Sequence, residues 1–236
     1  MKINLLKKNK QYEGWELHNF DNAINFRKYQ FRLLNKHIRG KVAEIGPGNG
    51  SLLEKYIKIS SKIDLFEPSK KIFLNLRKKF SKKKKVKVIN GKFKEKKNFY
   101  DCIIYLDVIE HIKNDKLEIL KALNSLKKNG FLLINVPAFQ FLYSQFDKDV
   151  GHYRRYNKKD FLKLLSKMKY STVKMIYYDS LGLILYLISK IFLGANYKKK
   201  FSNKVKLWDK LIPISFLIDK SILNYFGKSL MVIIKK

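Results

Sequence analysis

Short apolar runs alternate with stretches of helical spacing along most of this chain. Residues 42–45 (VAEI) predict a short buried strand, followed by a glycine-rich turn and a helix through residue 58. Residues 62–66 predict a second strand ending at Glu67. Pro68 and Ser69 then open a helix with Ile72, Leu74, Leu76 and Phe80 on its apolar face. Further strands are expected over 86–89, 100–106, 131–136, 171–178 and 229–236; residues 100–106 are almost wholly apolar, as suits a parallel strand covered on both faces. Helices are expected over 19–39, stopped by Gly40, over 116–128, ended by Asn129 and Gly130, and over 159–168. Between Pro137 and Tyr156 the pattern predicts a polar, aromatic loop. Residues 179–228 read as helices broken near 198–204 and at Pro213, since an insertion of that size is not bare loop. This alternation predicts an α/β fold with a doubly wound parallel sheet. It divides one domain, 1–236, into an N-terminal cap (1–40), a core (41–178 and 229–236) and a helical insertion (179–228).

Composition narrows this picture. An apolar content of 46% with seventeen Phe excludes a disordered polymer. The net charge of +33 points to an anionic partner, nucleic acid or membrane. Only six of the 52 basic residues are arginine, however, so a solvated lysine surface is the preferred reading. The single cysteine, Cys102, sits in an apolar run and predicts a core thiol, with a cytoplasmic location expected. The N-terminus lacks the apolar segment of a secretory signal. The longest apolar run, LGLILYLISKIFLGA, is interrupted by Lys190 and falls short of the roughly 20 residues that span a bilayer.

The stretch EIGPGNG carries the candidate chemistry. Gly46, Gly48 and Gly50 permit positive φ and close approach of a ligand to the main chain. A phosphate loop would need a Gly-Lys-Ser/Thr ending, and the dinucleotide fingerprint needs a third glycine further on; neither is present. What remains is a G-x-G-x-G turn with Glu44 before it and Glu67 closing the second strand. An acid at that second place accepts hydrogen bonds from a ribose diol, which points to an adenosyl ligand.

EIGPGNG, the acid in DLFEPS and YLDVIEHIKND resemble the class I S-adenosylmethionine-dependent methyltransferases. LKKNGFLLINVPAF strengthens the resemblance. FDKDVGHYRRYNKKDFLKLL is similar to a bacterial subgroup with a GHYRRY loop, associated with glycosyltransferases and with cell-envelope glycan or lipid modification; the two ends of the chain resemble it as well. The resemblance implies a Rossmann-like, seven-stranded, mostly parallel sheet with the last strand antiparallel. It implies S-adenosyl-L-methionine as cofactor, with Glu44, Gly46, Pro47, Gly48 and Gly50 along its methionine and ribose. Glu67 would hold the ribose hydroxyls, Pro68 and Ser69 would flank the adenine with Asn90 and Gly91 near its edge, and Asp107 would face the methionine end. The family often carries an acid just after Asn90-Gly91; here Lys92-Phe93-Lys94 follows.

Methyl transfer needs an aligned acceptor and often the removal of one proton. His152 is the first candidate base; His111, four residues after Asp107 and equally readable as a capping or core histidine, and Tyr153 are further candidates. Asp147, Arg154, Arg155 and Tyr156 are candidate acceptor-binding residues, since two guanidinium forks suit a phosphate or carboxylate. An ion-pair cluster joining the arginines to Asp147 or Asp149 is the alternative. No metal is expected. The acceptor is expected to be a small molecule, a glycan or a lipid-linked compound. Apolar stretches at 181–195 and 211–226, with the lysine excess, either pack over the site or an interface, or rest on the anionic inner face of a membrane. Nucleic acid is the less favoured partner. There is no Asn/Asp-Pro-Pro-aromatic motif and no Pro-Cys pair, although ribose or ring-nitrogen methylation of RNA stays open. A non-catalytic cofactor-binding protein is the third reading.

Overall fold

A computed structural model of the protein describes residues 17–193 and 201–236. Its strands are β1 (Gly40–Ile45), β2 (Ser60–Glu67), β3 (Val86–Asn90), β4 (Tyr100–Leu106), β5 (Leu126–Pro137), β6 (Thr172–Tyr178) and β7 (Ser229–Lys235). They form one sheet in the order β3-β2-β1-β4-β5-β7-β6. β7 runs antiparallel to β5 and β6, and the other pairings are parallel. The expected seven-stranded sheet and its antiparallel strand are therefore present. The order reverses between β1 and β4, which opens a crevice beyond their carboxyl ends.

The helices are α1 (Leu17–Asp21), α2 (Ile24–Leu34), α3 (Leu53–Tyr56), α4 (Lys70–Phe80), α5 (Asp115–Ser125), α6 (Gln145–Val150), α7 (Lys158–Leu165), α8 (Ser180–Leu193) and α9 (Phe201–Ser221). Side chains alternate across the pleat and divide the core in two. Val42, Ile63, Leu65, Ile104 and Leu133 pack with Phe26 of α2, Leu76 of α4 and Trp208 of α9. Ala43, Ile45, Ile103, Leu132 and Ile134 pack with Ile119 of α5 and Phe161 of α7.

Several boundaries differ from the sequence pattern, each for a physical reason. The helix expected over 19–39 is divided into α1 and α2, because the Asp209 carboxylate of α9 accepts from the backbone N–H groups of Asn25 and Phe26 and so caps a new helix start. The expected break at Pro213 is absent: α9 runs through it. Pro213 has no N–H for the Asp209 carbonyl, and the Asn25 side-chain amide donates to that carbonyl instead at 3.1 Å. The other break, expected near 198–204, is absent from 201–204, which open α9; its remaining positions fall within 194–200, which lie outside the described residues, as do residues 1–16 of the cap. The helix after the glycine turn ends at Tyr56 rather than residue 58. Leu74 is 48% exposed and off the buried stripe, because Ile72, Leu76 and Phe80 recur every four residues and Leu74 falls on the far side. Helix α5 ends at Ser125; Asn129, at φ 63°, turns the chain within a register shift of β5. The loop expected up to Tyr156 contains α6, started by a reciprocal cap between Ser144 and Asp147.

Asp219 of α9 accepts from Tyr29 of α2 and from the backbone of Asp179 and Ser180 at the start of α8. N-terminal cap and insertion thus share one buried acid, and both pack into the same side of the core.

Candidate functional site

β1, β2, β3 and β4 deliver Glu44, Glu67, Asn90 and Asp107 to the same edge of the sheet, since their parallel registers end together. Between β1 and α3 the turn folds on itself: Gly46 N–H donates to the Phe66 carbonyl and Gly50 N–H to that of Pro47. Gly46 holds φ 62°, and a Cβ there would come within 2.7 Å of Val108; Gly50 holds φ 73°, and a Cβ would meet Phe80 at 2.6 Å. Both positions need glycine. Helix α1 lies against this turn, with Asn49 donating to Asp21 and Leu17 beside Gly48.

Glu67 is buried, and its Oε1 accepts from the Ser69 backbone N–H at 2.8 Å, which leaves Oε2 for a ligand. Burial pushes its carboxyl up to about 7, against the pull of the Ser69 hydrogen bond. Asn90 donates to the Glu67 carbonyl at 3.0 Å, and beside Gly91 (φ 144°) no atom lies within 4 Å of where a Cβ would stand. Pro68, Ser69, Asn90 and Gly91 thus border open space next to Glu67.

Glu44 is held differently from the expectation. It is buried and accepts from the Tyr56 hydroxyl, so it anchors α3 beneath the turn. Burial pushes Glu44 up to about 7, while Tyr56 and the charge of Arg27 act in the other direction. An acid raised above its unfolded value stabilises the fold at low pH, and that contribution is lost as pH rises through about 7. Glu44→Gln is therefore expected to gain up to about 3 kcal/mol relative to wild type on going from pH 5 to pH 8. Calorimetric melts of the cofactor-free protein at the two pH values test this; a difference independent of pH contradicts it.

Asp107 follows β4 at φ 56°, exposed to the crevice, and accepts from the Asn135 side chain at 2.7 Å. Asn135 accepts from Tyr178, Tyr178 from Gln30, and Gln30 from Arg27. This chain of bonds ties α2, β6, β5 and β4 into one polar wall, and Arg27 and Lys228 bring positive charge towards Asp107. Arg27, Gln30, Asn135, Tyr178 and Lys228 were not singled out in the sequence. Lys228 is hidden among the many lysines, and the others act through contacts distant in the chain.

The second group of candidates is brought together only in part. His152 Nδ1 lies 2.8 Å from Asp147, and the His111 and His152 rings meet edge to face with centres 4.6 Å apart. Burial and the neighbouring His152 lower His111 to about 3, so its imidazole is neutral. Glu110, beside His111, is fully buried and neither of its carboxyl oxygens has a hydrogen-bond partner. Burial, and after it the adjacent Asp107, raise its carboxyl well above the usual range. The signal for Glu110 was an acid within the apolar run Val108-Ile109 of DVIEHI.

Tyr153, Arg154, Arg155 and Tyr156 do not converge on this point. Arg155 is buried and its fork grips Asp147 through Nε and Nη2, both at 2.9 Å. Burial would raise Asp147, but the bonds from His152 and Arg155 hold its carboxyl well below the usual range. Arg154 pairs with Asp115 at 2.8 Å and donates to the Lys113 carbonyl. Tyr156 is buried and donates to Asp115. The ion-pair alternative describes both arginines, so Asp147, Arg155 and Tyr156 correct the acceptor-binding expectation: they are framework beneath the histidines. The Tyr153 side chain is 54% exposed, and only its backbone N–H reaches Glu110, at the carbonyl. A cleft of about 470 Å³ bordered by Asp115, Gln140, Arg154, Tyr156 and Asp160 opens beside α7, away from the glycine turn. Cys102 is buried in β4, as expected of a core thiol.

A family described as a methyltransferase domain matches residues 17–174. No curated protein matches the chain. Among solved structures, phosphoethanolamine N-methyltransferase 2 of Haemonchus contortus in complex with S-adenosyl-L-methionine aligns at 14% identity, over 94% of this chain and 58% of that one, with a TM-score of 0.62. A SAM-dependent methyltransferase from Archaeoglobus fulgidus aligns at 14% identity over 90% and 94% of the two chains, with a TM-score of 0.59. A SAM-dependent methyltransferase from Thermotoga maritima aligns at 17% identity over 95% and 94%, with a TM-score of 0.60. At these identities the solved structures speak for the fold alone.

Proposed function

The chain belongs to the methyltransferase-domain family, and we propose that it binds S-adenosyl-L-methionine over the glycine turn. It moves the methyl group to an oxygen or nitrogen atom of a small-molecule, sugar or lipid-linked acceptor. The observation that carries the cofactor reading is Glu67: a buried carboxylate with one oxygen fixed by Ser69 and the other left for ribose hydroxyls, next to open space at Gly91. The methionine end then lies along Gly46 and Gly48 towards Asp107.

The acceptor end lies beyond Asp107, where Glu110, His111 and His152 meet. Asp147 fixes the His152 ring through Nδ1, which turns Nε2 towards the acceptor end. His152→Ala is expected to keep cofactor binding while turnover falls by about 10²–10⁴. Calorimetry with the cofactor and a turnover assay on the acceptor check the two halves; unchanged turnover removes His152 from the mechanism.

A lipid-linked acceptor is favoured by the outer sides of α8 and α9. Ile184, Leu187 and Ile188 of α8, and Leu207, Ile214 and Leu217 of α9, are exposed at helical spacing. Among the described residues no helix is long and apolar enough to cross a membrane. Such stripes beside many lysines suit an interfacial contact, with the protein at the inner face of a membrane. Co-sedimentation with phosphatidylglycerol vesicles is expected at low salt, reduced by Leu217→Asp; no co-sedimentation counts against a membrane-held acceptor.

A further inference from the structure

We infer that Glu110, His111 and His152 form a binding site for one divalent first-row metal ion, with Zn²⁺ chemistry the best suited, and that this ion receives a hydroxyl oxygen of the acceptor. The inference rests on the acceptor end placed above and departs from the sequence expectation of no metal.

One carboxylate and two imidazoles converge here, with a ligating atom from each lying within 4.8 Å of the others. His152 Nε2 stands 3.9 Å from Glu110 Oε1. Metal bonds to nitrogen and oxygen of about 2.0–2.2 Å require the three donors to move inward by only about 1 Å. Local structure explains why they meet. Glu110 and His111 are adjacent on a single 3₁₀ turn, Ile109–His111, directly after Asp107. His152 follows Gly151, whose left-handed φ of 86° turns the chain back at the end of α6.

Glu110 is the second, independent observation. It is fully buried and neither carboxylate oxygen has a partner, although unpaired buried polar groups are costly and seldom kept without reason. A cation between the imidazoles supplies the missing partner. The surroundings also match what a metal-binding histidine needs: Asp147 holds His152 Nδ1 at 2.8 Å, and Arg155 in turn holds Asp147 by two bonds. That outer layer fixes the ring with Nε2 facing Glu110. Arg155 and Asp147 are thereby positioning residues.

Two imidazole nitrogens and one carboxyl oxygen donor, without sulfur, fit Zn²⁺ and its first-row neighbours rather than Ca²⁺ or Mg²⁺, which prefer oxygen. Three protein ligands leave a position open. A bound hydroxyl loses its proton to water more readily because the cation stabilises the alkoxide. The oxygen lone pair then forms the C–O bond to the methyl carbon while the C–S bond pair returns to sulfur, giving a neutral thioether.

The test uses untagged full-length protein, stripped with a chelator and titrated with Co²⁺. A visible d–d absorption saturating at one equivalent is expected, and Zn²⁺ should displace it. Glu110→Gln and His152→Gln should each lose the band or weaken Co²⁺ binding by at least about tenfold, while a substitution of His37, in the 3₁₀ turn Asn35–His37 before the start of β1, His37→Gln, retains it. S-adenosylmethionine binding, measured in parallel, separates this claim from the cofactor reading. Cofactor binding by all four proteins, with no stoichiometric band in wild type or an unchanged band in Glu110→Gln, overturns the metal site alone. If Glu110→Gln fails to fold, His152→Gln and a Zn²⁺-induced rise in wild-type melting temperature decide, with no rise counting against the site.

Discussion

Glu67→Ala should weaken S-adenosylmethionine binding by about 100-fold or more, because two charge-assisted hydrogen bonds to ribose hydroxyls, each contributing about 1.5–3 kcal/mol, are lost together. Glu67→Gln keeps the shape and one acceptor oxygen, and should fall between wild type and alanine. The wild-type affinity should also depend on pH. Glu67 is raised to about 7 in the cofactor-free protein. Its carboxylate is the form that accepts from the ribose, so binding strengthens as pH rises through that value, by about tenfold from pH 6 to pH 8. Calorimetric titration reads all three quantities. An alanine variant that binds as tightly as wild type would remove Glu67 from the cofactor site.

Arg155→Ala should produce the largest loss of stability in the acceptor-side framework. It leaves Asp147 fully buried without its two-pronged partner, and breaking a buried pair from one side costs about 3–5 kcal/mol. For a chain of this size the melting temperature should drop by roughly 6–20 °C. Arg154→Ala is the contrast. Its pair with Asp115 is partly exposed, with a third of the Arg154 side chain accessible, so about 1 kcal/mol is expected. Thermal melts of the two variants under one set of conditions compare them. Equal, small losses would mean that the Arg155 fork is not structural and would return it to the acceptor.

The strands were legible because each is a short apolar run bounded by a turn residue, and β4 was predicted over the same residues that form it. Helix ends were less legible, since they depend on groups far away in the chain. Asp209 starts α2 and Asn25 satisfies the carbonyl that Pro213 leaves without a donor, and no window of neighbouring residues contains either pairing. The glycine turn and the acids at the strand ends, on which the cofactor proposal rests, were legible because that pattern is local. Glu44 shows the limit: its position was plain, but its bond to Tyr56 required α3 to be built first. The acceptor side was the least legible. GHYRRY looks like a cluster of binding groups, yet in the fold it divides. Arg155 and Tyr156 turn inward to Asp147 and Asp115, Tyr153 turns outward, and His152 alone reaches the histidine–carboxylate group. Glu110 was overlooked because an acid in an apolar run conveys nothing about its partners until its burial is known.

Transfer of isotope-labelled methyl reads both the activity and the class of acceptor. The wild-type protein and its Glu67→Ala variant would be incubated with labelled S-adenosylmethionine and an extract of the cells that encode them, then separated into lipid, water-soluble and nucleic-acid fractions. Label is expected in the lipid or soluble-glycan fraction with wild type, and its loss with Glu67→Ala. Label confined to nucleic acid would contradict the proposed acceptor, and no label in any fraction would contradict methyl transfer itself.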